Sequence, residues 1–230
     1  PAPFEQDVRD AFACGFQVNT HAIGTRANRV VLDAYEVAME DASNSPGRHR
    51  VEHAQILHPN DLPRFAELDV IPAMQPTHAT SDMYWADDRL GDDRLDGAYA
   101  WKSLQESGAR LAFGSDFPVE QVNPLLGFYA AITRQDAEGW PEGGWRSEER
   151  VSRETALRGF TQNAAYAGFH EDTLGSLTEG KRADFVILSD DIMQIPPMQI
   201  LDTHVVATYL DGAPITARAS AVITAAPPMS

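Results

Sequence analysis

Hydrophobic and polar positions along the first 170 residues follow a pattern that predicts strands followed by helices. Residues 27–41, for example, carry Val31, Ala34, Tyr35 and Ala38 at the spacing of one helix face. Short apolar runs consistent with strands precede such segments. The predicted strands are residues 16–19, 49–52, 70–75 and 110–114, and the predicted helices are residues 5–12, 27–41, 61–68, 98–107, 125–134 and, with a break, 153–169.

This order, a helix end followed by strand and helix four times, predicts an α/β fold with parallel strands and helices outside them. Four such units are half of an eight-unit (β/α)8 barrel of the TIM type. Half a barrel leaves two edge strands with unpaired backbone groups, which is unfavourable. Either the other half is missing from this chain, or another chain supplies it, or the sheet stays open as a smaller doubly wound domain.

Two polar segments are predicted to be loops, residues 76–97 and residues 138–145. Loops longer than ~12–15 residues in compact domains are commonly lids or binding loops. That rule applies to residues 76–97, which contain Tyr84 and Trp85. These two aromatics, and Trp140 and Trp145 in the shorter segment, are candidates for lining a substrate pocket, although loop aromatics as often pack down on a barrel. The acidic run 87–96 is interpreted as a solvated face.

The pattern changes after Glu171. The apolar run Phe185–Leu188 has no helical period, and residues 204–210 and 214–217 flank Asp211-Gly212, a dipeptide typical of tight hairpins. Residues 175–218 are therefore predicted to form a small β module. The remaining residues 219–230, rich in Ala and Pro, are interpreted as a tail.

Composition and charge narrow the classes of function. Hydrophobic residues make up 43% of the 230, enough for a sizeable core, and the net charge of −16 argues against nucleic acid or an anionic membrane as a partner. The single cysteine, Cys14, excludes an internal disulfide and is expected to be a small buried residue. No apolar run of ~18 residues and no leader-like start is visible, so the cytoplasm is the default location.

Three predicted strands end in residues that could bind a metal. QVNTH ends at His21, HRVEH ends at His53, and RLAFGSD ends at Asp116. In a barrel of parallel strands, catalytic residues come from the carboxyl ends of several strands. Two imidazoles and a carboxylate at three such ends are typical of a metal site. A single histidine is more often structural, and Asp116 alone could be a turn residue, but the three matching contexts favour a site.

The motifs in order also resemble a known family. HAIGTRAN from His21, RHRVEHAQ to Gln55, MQPTH to His78, AFGSDFPVE to Glu120, and GSLTEGKRADFVIL from Gly175 follow one another. This series resembles the C-terminal part of the metal-dependent amidohydrolase superfamily, and most of all its amidohydrolase-3 branch, which includes N-substituted formamide deformylases. The resemblance covers about residues 16–215.

The resemblance implies a role for each matching residue. His21 and His53 would be metal ligands after the fifth and sixth barrel strands, and His78, after the seventh, would face the substrate. Asp116, after the eighth, would contact the metal and act as the catalytic base.

The implied domains are residues 1–170 as the C-terminal half (strands 5–8) of a (β/α)8 barrel, residues 171–218 as part of a small β-sandwich, and residues 219–230 as a tail. His49, His58, His170 and His204 are interpreted as structural or surface residues.

The departures from the family pattern predict an incomplete enzyme. The family has a His-x-His pair after the first strand and commonly a carboxylated lysine after the fourth, and nothing before Phe16 contains either. Because these motifs and the N-terminal strands of the sandwich are all missing on the same side, we expect a C-terminal fragment of a longer hydrolase of C–N bonds in amides, formamides or N-acyl compounds. By itself it should hold one divalent metal or none, with zinc the first choice, and should not hydrolyse its small-molecule substrate usefully. The alternative is a non-catalytic half-barrel that binds small molecules or pairs with a second copy.

Overall fold

A computed structural model describes residues 2–41 and 44–215 of the chain. The described helices alternate with strands through the first two thirds, as the sequence pattern predicts. The α-helices are α1 (Ala2–Ala13), α2 (Thr25–Asp41), α3 (Leu62–Glu67), α4 (Pro76–Leu90), α5 (Asp92–Leu95), α6 (Trp101–Glu106), α7 (Pro124–Thr133), α8 (Arg153–Phe160) and α9 (Gln162–Ala167). Short 3-10 helices cover Pro59–Asp61, Ser147–Glu149 and Pro197–Asp202.

The strands form two separate sheets. The first contains β1 (Asn19–Ala22), β2 (Arg50–His53), β3 (Ile71–Met74) and β4 (Ala112–Phe113) in that order, and every neighbouring pair is parallel. The second contains β5 (Phe185–Leu188), β6 (Val205–Leu210) and β7 (Ala213–Ile215), all antiparallel. The prediction of parallel strands with helices outside is therefore confirmed for the described residues.

The prediction of a loop over residues 76–97 is wrong. Helix α4 fills Pro76–Leu90 and helix α5 follows at Asp92–Leu95. Ala79, Met83 and Ala86 are buried on one face of α4. Their spacing of four and three residues is helical, and the polar and acidic residues between them lie on the other faces. Pro76 at the first helical position suits a helix start because its missing N–H would have no partner there.

The amino ends of the parallel strands are covered by α9 and the residues after it. The ring of Tyr166 lies between two guanidinium groups, at 3.7 Å from that of Arg48 and 3.9 Å from that of Arg110. Arg48 also pairs with Glu171. Arg48 and Arg110 precede strands β2 and β4, so these contacts place α9 at the amino end of the sheet. The residues predicted to have chemical roles lie at the opposite, carboxyl end of the sheet.

The predicted hairpin in the second sheet is confirmed as far as the structure describes it. Asp211 and Gly212 connect β6 to β7 with φ angles of 51° and 75°. Two positive φ angles in a two-residue connection are typical of a type I′ turn, which matches the twist of the flanking strands. The predicted strand residues 216–217 and the tail lie outside the described residues. Cys14, predicted to be buried, is exposed at the end of α1.

Candidate metal centre

The backbone changes direction sharply where β2 ends. His53 has a φ of 77° and the following Ala54 has a φ of 46°, both in the left-handed region that residues other than glycine rarely adopt. Such conformations cost on the order of 1–3 kcal/mol each and are concentrated at functional sites. The turn places the half-buried His53 side chain at the carboxyl end of the sheet. Its Nδ1 atom lies 2.8 Å from Oε1 of Gln75.

His78 lies in the first turn of α4, directly after β3. The residue is 8% exposed, and its Nε2 atom is buried without a hydrogen-bond partner among the described residues. Burial lowers the pKa of His78 below its usual value, because the charged imidazolium loses hydration, and nearby Glu120 partly opposes this effect. A neutral imidazole with an unpartnered nitrogen has the lone pair that a metal ligand needs.

Asp116 follows β4 and completes a compact group with the two histidines. Its φ is 58°, a conformation that Asp tolerates better than most residues, and its side chain is 36% exposed. Oδ2 of Asp116 lies 3.6 Å from Nε2 of His78. One potential ligand atom from each of His53, His78 and Asp116 lies within 4.8 Å of the other two. Two ligands at ~2.1 Å from a tetrahedral zinc ion would be roughly 3.4 Å apart, so the donor set fits such an ion after a small contraction.

His21 lies next to the group formed by His53, His78 and Asp116 but is not a member of it. It lies within β1 and is exposed, and its ring stands edge-on to that of His53 with 4.6 Å between the centroids. On its other side, His53 stacks against His78 at 5.6 Å. Among the described residues, only His53, His78 and Asp116 form a cluster of potential ligand atoms. The structure thus brings all four predicted residues to one end of the sheet and groups three of them tightly.

A buried polar network adjoins the histidines, and sequence reasoning missed it. Asp82, one turn after His78 on α4, accepts hydrogen bonds from Nε2 of Gln55, at 3.0 Å, and from the hydroxyl of Tyr99. Burial and the Asp82 carboxylate raise the pKa of Tyr99 far above its usual value, so the hydroxyl stays protonated and donates. The network connects the segment after β2 to α4. The spacing of four residues between His78 and Asp82, one helical turn, is the one sequence signal that could have indicated this network.

The four aromatic residues predicted to line a pocket differ in burial and in their contacts. Tyr84 lines a cavity of about 240 Å³ beside the group and stacks on Trp140 with 5.0 Å between ring centroids. Glu120, Asp136 and Thr77 also line this cavity. In contrast, Trp145 is 9% exposed and packs against Tyr99, while Trp85 is exposed. The cavity lies next to the histidines, since Thr77 immediately precedes His78, but the histidines do not line it.

Comparisons with known sequences place these residues in a family context. Residues 2–216 match the Amidohydrolase family in its amidohydrolase-3 form. The chain is 39% identical over 199 residues to the protein LONG AFTER FAR-RED 3 of Arabidopsis thaliana, 35% identical over 206 residues to the putative amidohydrolase YtcJ of Bacillus subtilis, and 29% identical over 202 residues to an N-substituted formamide deformylase of Arthrobacter pascens. These matches cover 86%, 89% and 86% of this chain but 34%, 38% and 36% of the relatives.

Solved structures show the same relationship. An uncharacterized metal-dependent hydrolase from Pyrococcus furiosus superimposes with a TM-score of 0.69 at 34% sequence identity, covering 83% of this chain and 38% of that one. A zinc-bound adenosine deaminase from Xanthomonas campestris has a TM-score of 0.60 at 20% identity, over 93% of this chain and 48% of that one, which shows a shared fold. The chain therefore spans less than half the length of these three relatives and of these two solved structures. None of its described helices is both long and apolar enough to cross a membrane.

Proposed function

Because this chain belongs to the amidohydrolase family, we propose that it is the metal-binding, carboxyl-terminal half of a hydrolase that acts on C–N bonds of amides, formamides or N-acyl compounds. The observation that carries the proposal is the buried Nε2 of His78, which has no described partner and lies 3.6 Å from the carboxylate of Asp116. Buried polar atoms nearly always have a partner. A divalent ion between the two residues would supply one.

The proposed architecture follows from the four parallel strands and the coverage of the relatives. Strands β1 to β4 would be strands 5–8 of a (β/α)8 barrel, with residues 1–170 as the half-barrel and residues 171–218 as part of a β-sandwich. In such barrels the active site lies at the carboxyl ends of the strands. His21, His53, His78 and Asp116 all come from that end, which supports the assignment.

We propose that His53, His78 and Asp116 hold one divalent ion in this chain, with zinc the first choice. The resemblance instead implies His21 as a ligand and His78 as the residue that faces the substrate. The first assignment is favoured because His78, unlike His21, lies in the compact group with His53 and Asp116. His21 would then contact the ring of His53 without binding the ion. A bound zinc ion supplies hydroxide near neutral pH and polarises a carbonyl group.

The catalytic role of this chain would belong to Asp116. An exposed carboxylate at the edge of the site can accept a proton from the attacking water and pass it to the leaving nitrogen. A small amide-type molecule is the proposed substrate. No His-x-His pair and no bridging lysine accompany these residues, so we propose that the 230-residue chain alone does not turn over substrate at a useful rate.

Sequencing the DNA upstream of the codon for Pro1, followed by expression of the longest reading frame, tests this function. The longer product with zinc should release amine from N-alkylformamides or N-acylamines, and His53→Asn should abolish the release. The matched control is His204→Asn, which replaces an exposed histidine directly before β6. Failure of the longer, metal-loaded product on the whole amide panel would contradict the proposal. A stable symmetric dimer that binds no metal would instead favour the non-catalytic half-barrel.

A further inference from the structure

We propose that Gln75 is a positioning residue that fixes the tautomer and the ring orientation of His53, an inference that rests on the proposed metal centre. Gln75 stands between β3 and α4 and is 9% exposed. Its side chain reaches across to the end of the neighbouring strand β2, where Oε1 lies 2.8 Å from Nδ1 of His53.

The orientation of the Gln75 amide follows from its second hydrogen bond. Nε2 of Gln75 donates to the carbonyl oxygen of Ala73 at 3.2 Å. A carbonyl oxygen can only accept, so the NH2 end of the amide must face Ala73 and the oxygen end must face His53. The amide oxygen also only accepts, which requires Nδ1 of His53 to carry the proton. The other ring nitrogen, Nε2, then keeps its lone pair for a ligand.

The backbone of Gln75 holds this amide in place. The residue has extended φ and ψ angles of −123° and 104°, as expected for a residue that precedes a proline. Its carbonyl oxygen accepts a hydrogen bond from the backbone N–H of His78 at 3.0 Å, at the start of α4. One residue therefore contacts two members of the proposed donor set, His53 through its side chain and His78 through its backbone.

A fixed tautomer matters because a metal-binding histidine must present a deprotonated nitrogen to the ion. Metal-bound histidines almost always donate their second N–H to an oxygen, and removal of that oxygen commonly weakens metal affinity about 10- to 100-fold. Without the Gln75 oxygen, the His53 ring is free to place its proton on Nε2 and to rotate. Both changes remove the lone pair from the proposed site.

The first experiment reads the tautomer of His53 without metal. Long-range ¹H–¹⁵N spectra of the full chain, recorded at about pH 8.5 where imidazoles are neutral, should show His53 with its proton on Nδ1. Gln75→Leu should shift the population to the tautomer with the proton on Nε2, and Gln75→Glu, which keeps an acceptor, should preserve the original tautomer. The matched control is Gln17→Leu. The Gln17 amide is also hydrogen-bonded, but it donates to two backbone carbonyl oxygens, at 2.6 and 2.8 Å, at the amino end of the sheet and, among the described residues, has no hydrogen bond to a histidine ring.

The second experiment measures zinc affinity of the same variants by competition with a chromophoric chelator. Gln75→Leu should weaken zinc binding about 10-fold or more, whereas Gln17→Leu should stay within about 2-fold of the original chain. An unchanged tautomer in Gln75→Leu, or an original chain with the proton on Nε2, would overturn the positioning role. If the original chain binds no zinc while the tautomer responds as expected, the metal centre fails and the role of Gln75 in orienting His53 stands.

Discussion

The Nε2 atom of His78 and the Oδ2 atom of Asp116 lie 3.6 Å apart at the carboxyl end of the parallel sheet. This distance is slightly too long for a direct hydrogen bond and close to the separation of two ligands on one zinc ion. His78 reaches the point from the first turn of α4, and Asp116 from the loop after β4. Two neighbouring strands thus deliver an unpartnered nitrogen and a carboxylate to one position.

The identity of the second histidine ligand can be tested with paired variants. His78→Asn should weaken zinc binding by at least about 10-fold, because it removes a ligand atom. His21→Asn should have a smaller effect, since His21 contacts the ring of His53 edge-on and lies outside the ligand cluster. Competition with a chelator measures both affinities. The reverse order would assign His21 to the ion and His78 to the substrate, as the family resemblance implies.

Two substitutions of Asp116 should separate the effect of its negative charge on zinc affinity from the effect of its left-handed backbone on stability. Asp116→Asn removes the negative charge, but Asn also tolerates the left-handed backbone at φ 58°, so stability should change by less than about 0.5 kcal/mol. Zinc affinity should still fall at least about 10-fold, because a neutral amide is a poor ligand for zinc. Asp116→Ala should lose the same affinity and about 1 kcal/mol of stability as well. Urea denaturation and zinc titration of both variants check this.

His49 should make the fold sensitive to acid. The ring is fully buried and stacks on Phe12, and its Nδ1 accepts the backbone N–H of Val18 at 3.0 Å. Protonation of Nδ1 would break that bond. Burial lowers the pKa of His49 to about 4 in the folded chain, whereas the unfolded chain takes up the proton near pH 6.5.

The sign of this effect is a loss of stability on acidification. The contribution of neutral His49 to the free energy of unfolding is fully present above about pH 6.5. Roughly 3 kcal/mol of this free energy is lost as the pH falls from about 6.5 to about 4. His49→Asn keeps an acceptor for Val18 without a titrating group, so its free energy of unfolding should fall less steeply over that range. Urea denaturation of both proteins at several pH values measures the difference. Parallel curves would show that His49 does not carry the dependence.

Gly97 should be intolerant of a side chain. A Cβ atom at this position would lie 1.8 Å from the carbonyl oxygen of Leu57, whose N–H donates to the carbonyl oxygen of Gly97 at 2.8 Å. Gly97→Ala should therefore reduce the free energy of unfolding by about 3 kcal/mol, since rigid backbone must move. Gly24→Ala is the control, because no atom lies within 4 Å of its added Cβ, and it should cost less than about 1 kcal/mol. Equal losses would refute the close approach.

The sequence indicated the parallel sheet and the strand-end residues because both depend on local patterns. Alternating apolar segments identify the strands, and parallel strands necessarily bring their carboxyl ends to the same edge. The sequence pattern does not predict helix α4, although Ala79, Met83 and Ala86 have helical spacing, because the acidic and hydroxyl residues between them are typical of a loop. The choice between His21 and His78 depends on side-chain directions across strands, which no local pattern contains.

Gln75 illustrates the same limit. Its position before Pro76 predicts an extended backbone, but its contact with His53 joins residues of two neighbouring strands. The positive φ angles of His53 and Asp116 were equally invisible, since neither residue is a glycine. These features depend on how the strands are assembled, and they are the ones that define the candidate site.

The most direct test of the account is the zinc content of the purified chain after equilibrium dialysis, measured by elemental analysis. We expect about one zinc ion per chain at saturation, since three ligands can hold one ion and no further ligand set accompanies them in the described residues. The ion should be lost in His53→Asn and retained in His204→Asn. Two ions per chain, no ion at saturation, or one ion retained in His53→Asn would contradict the proposed metal centre.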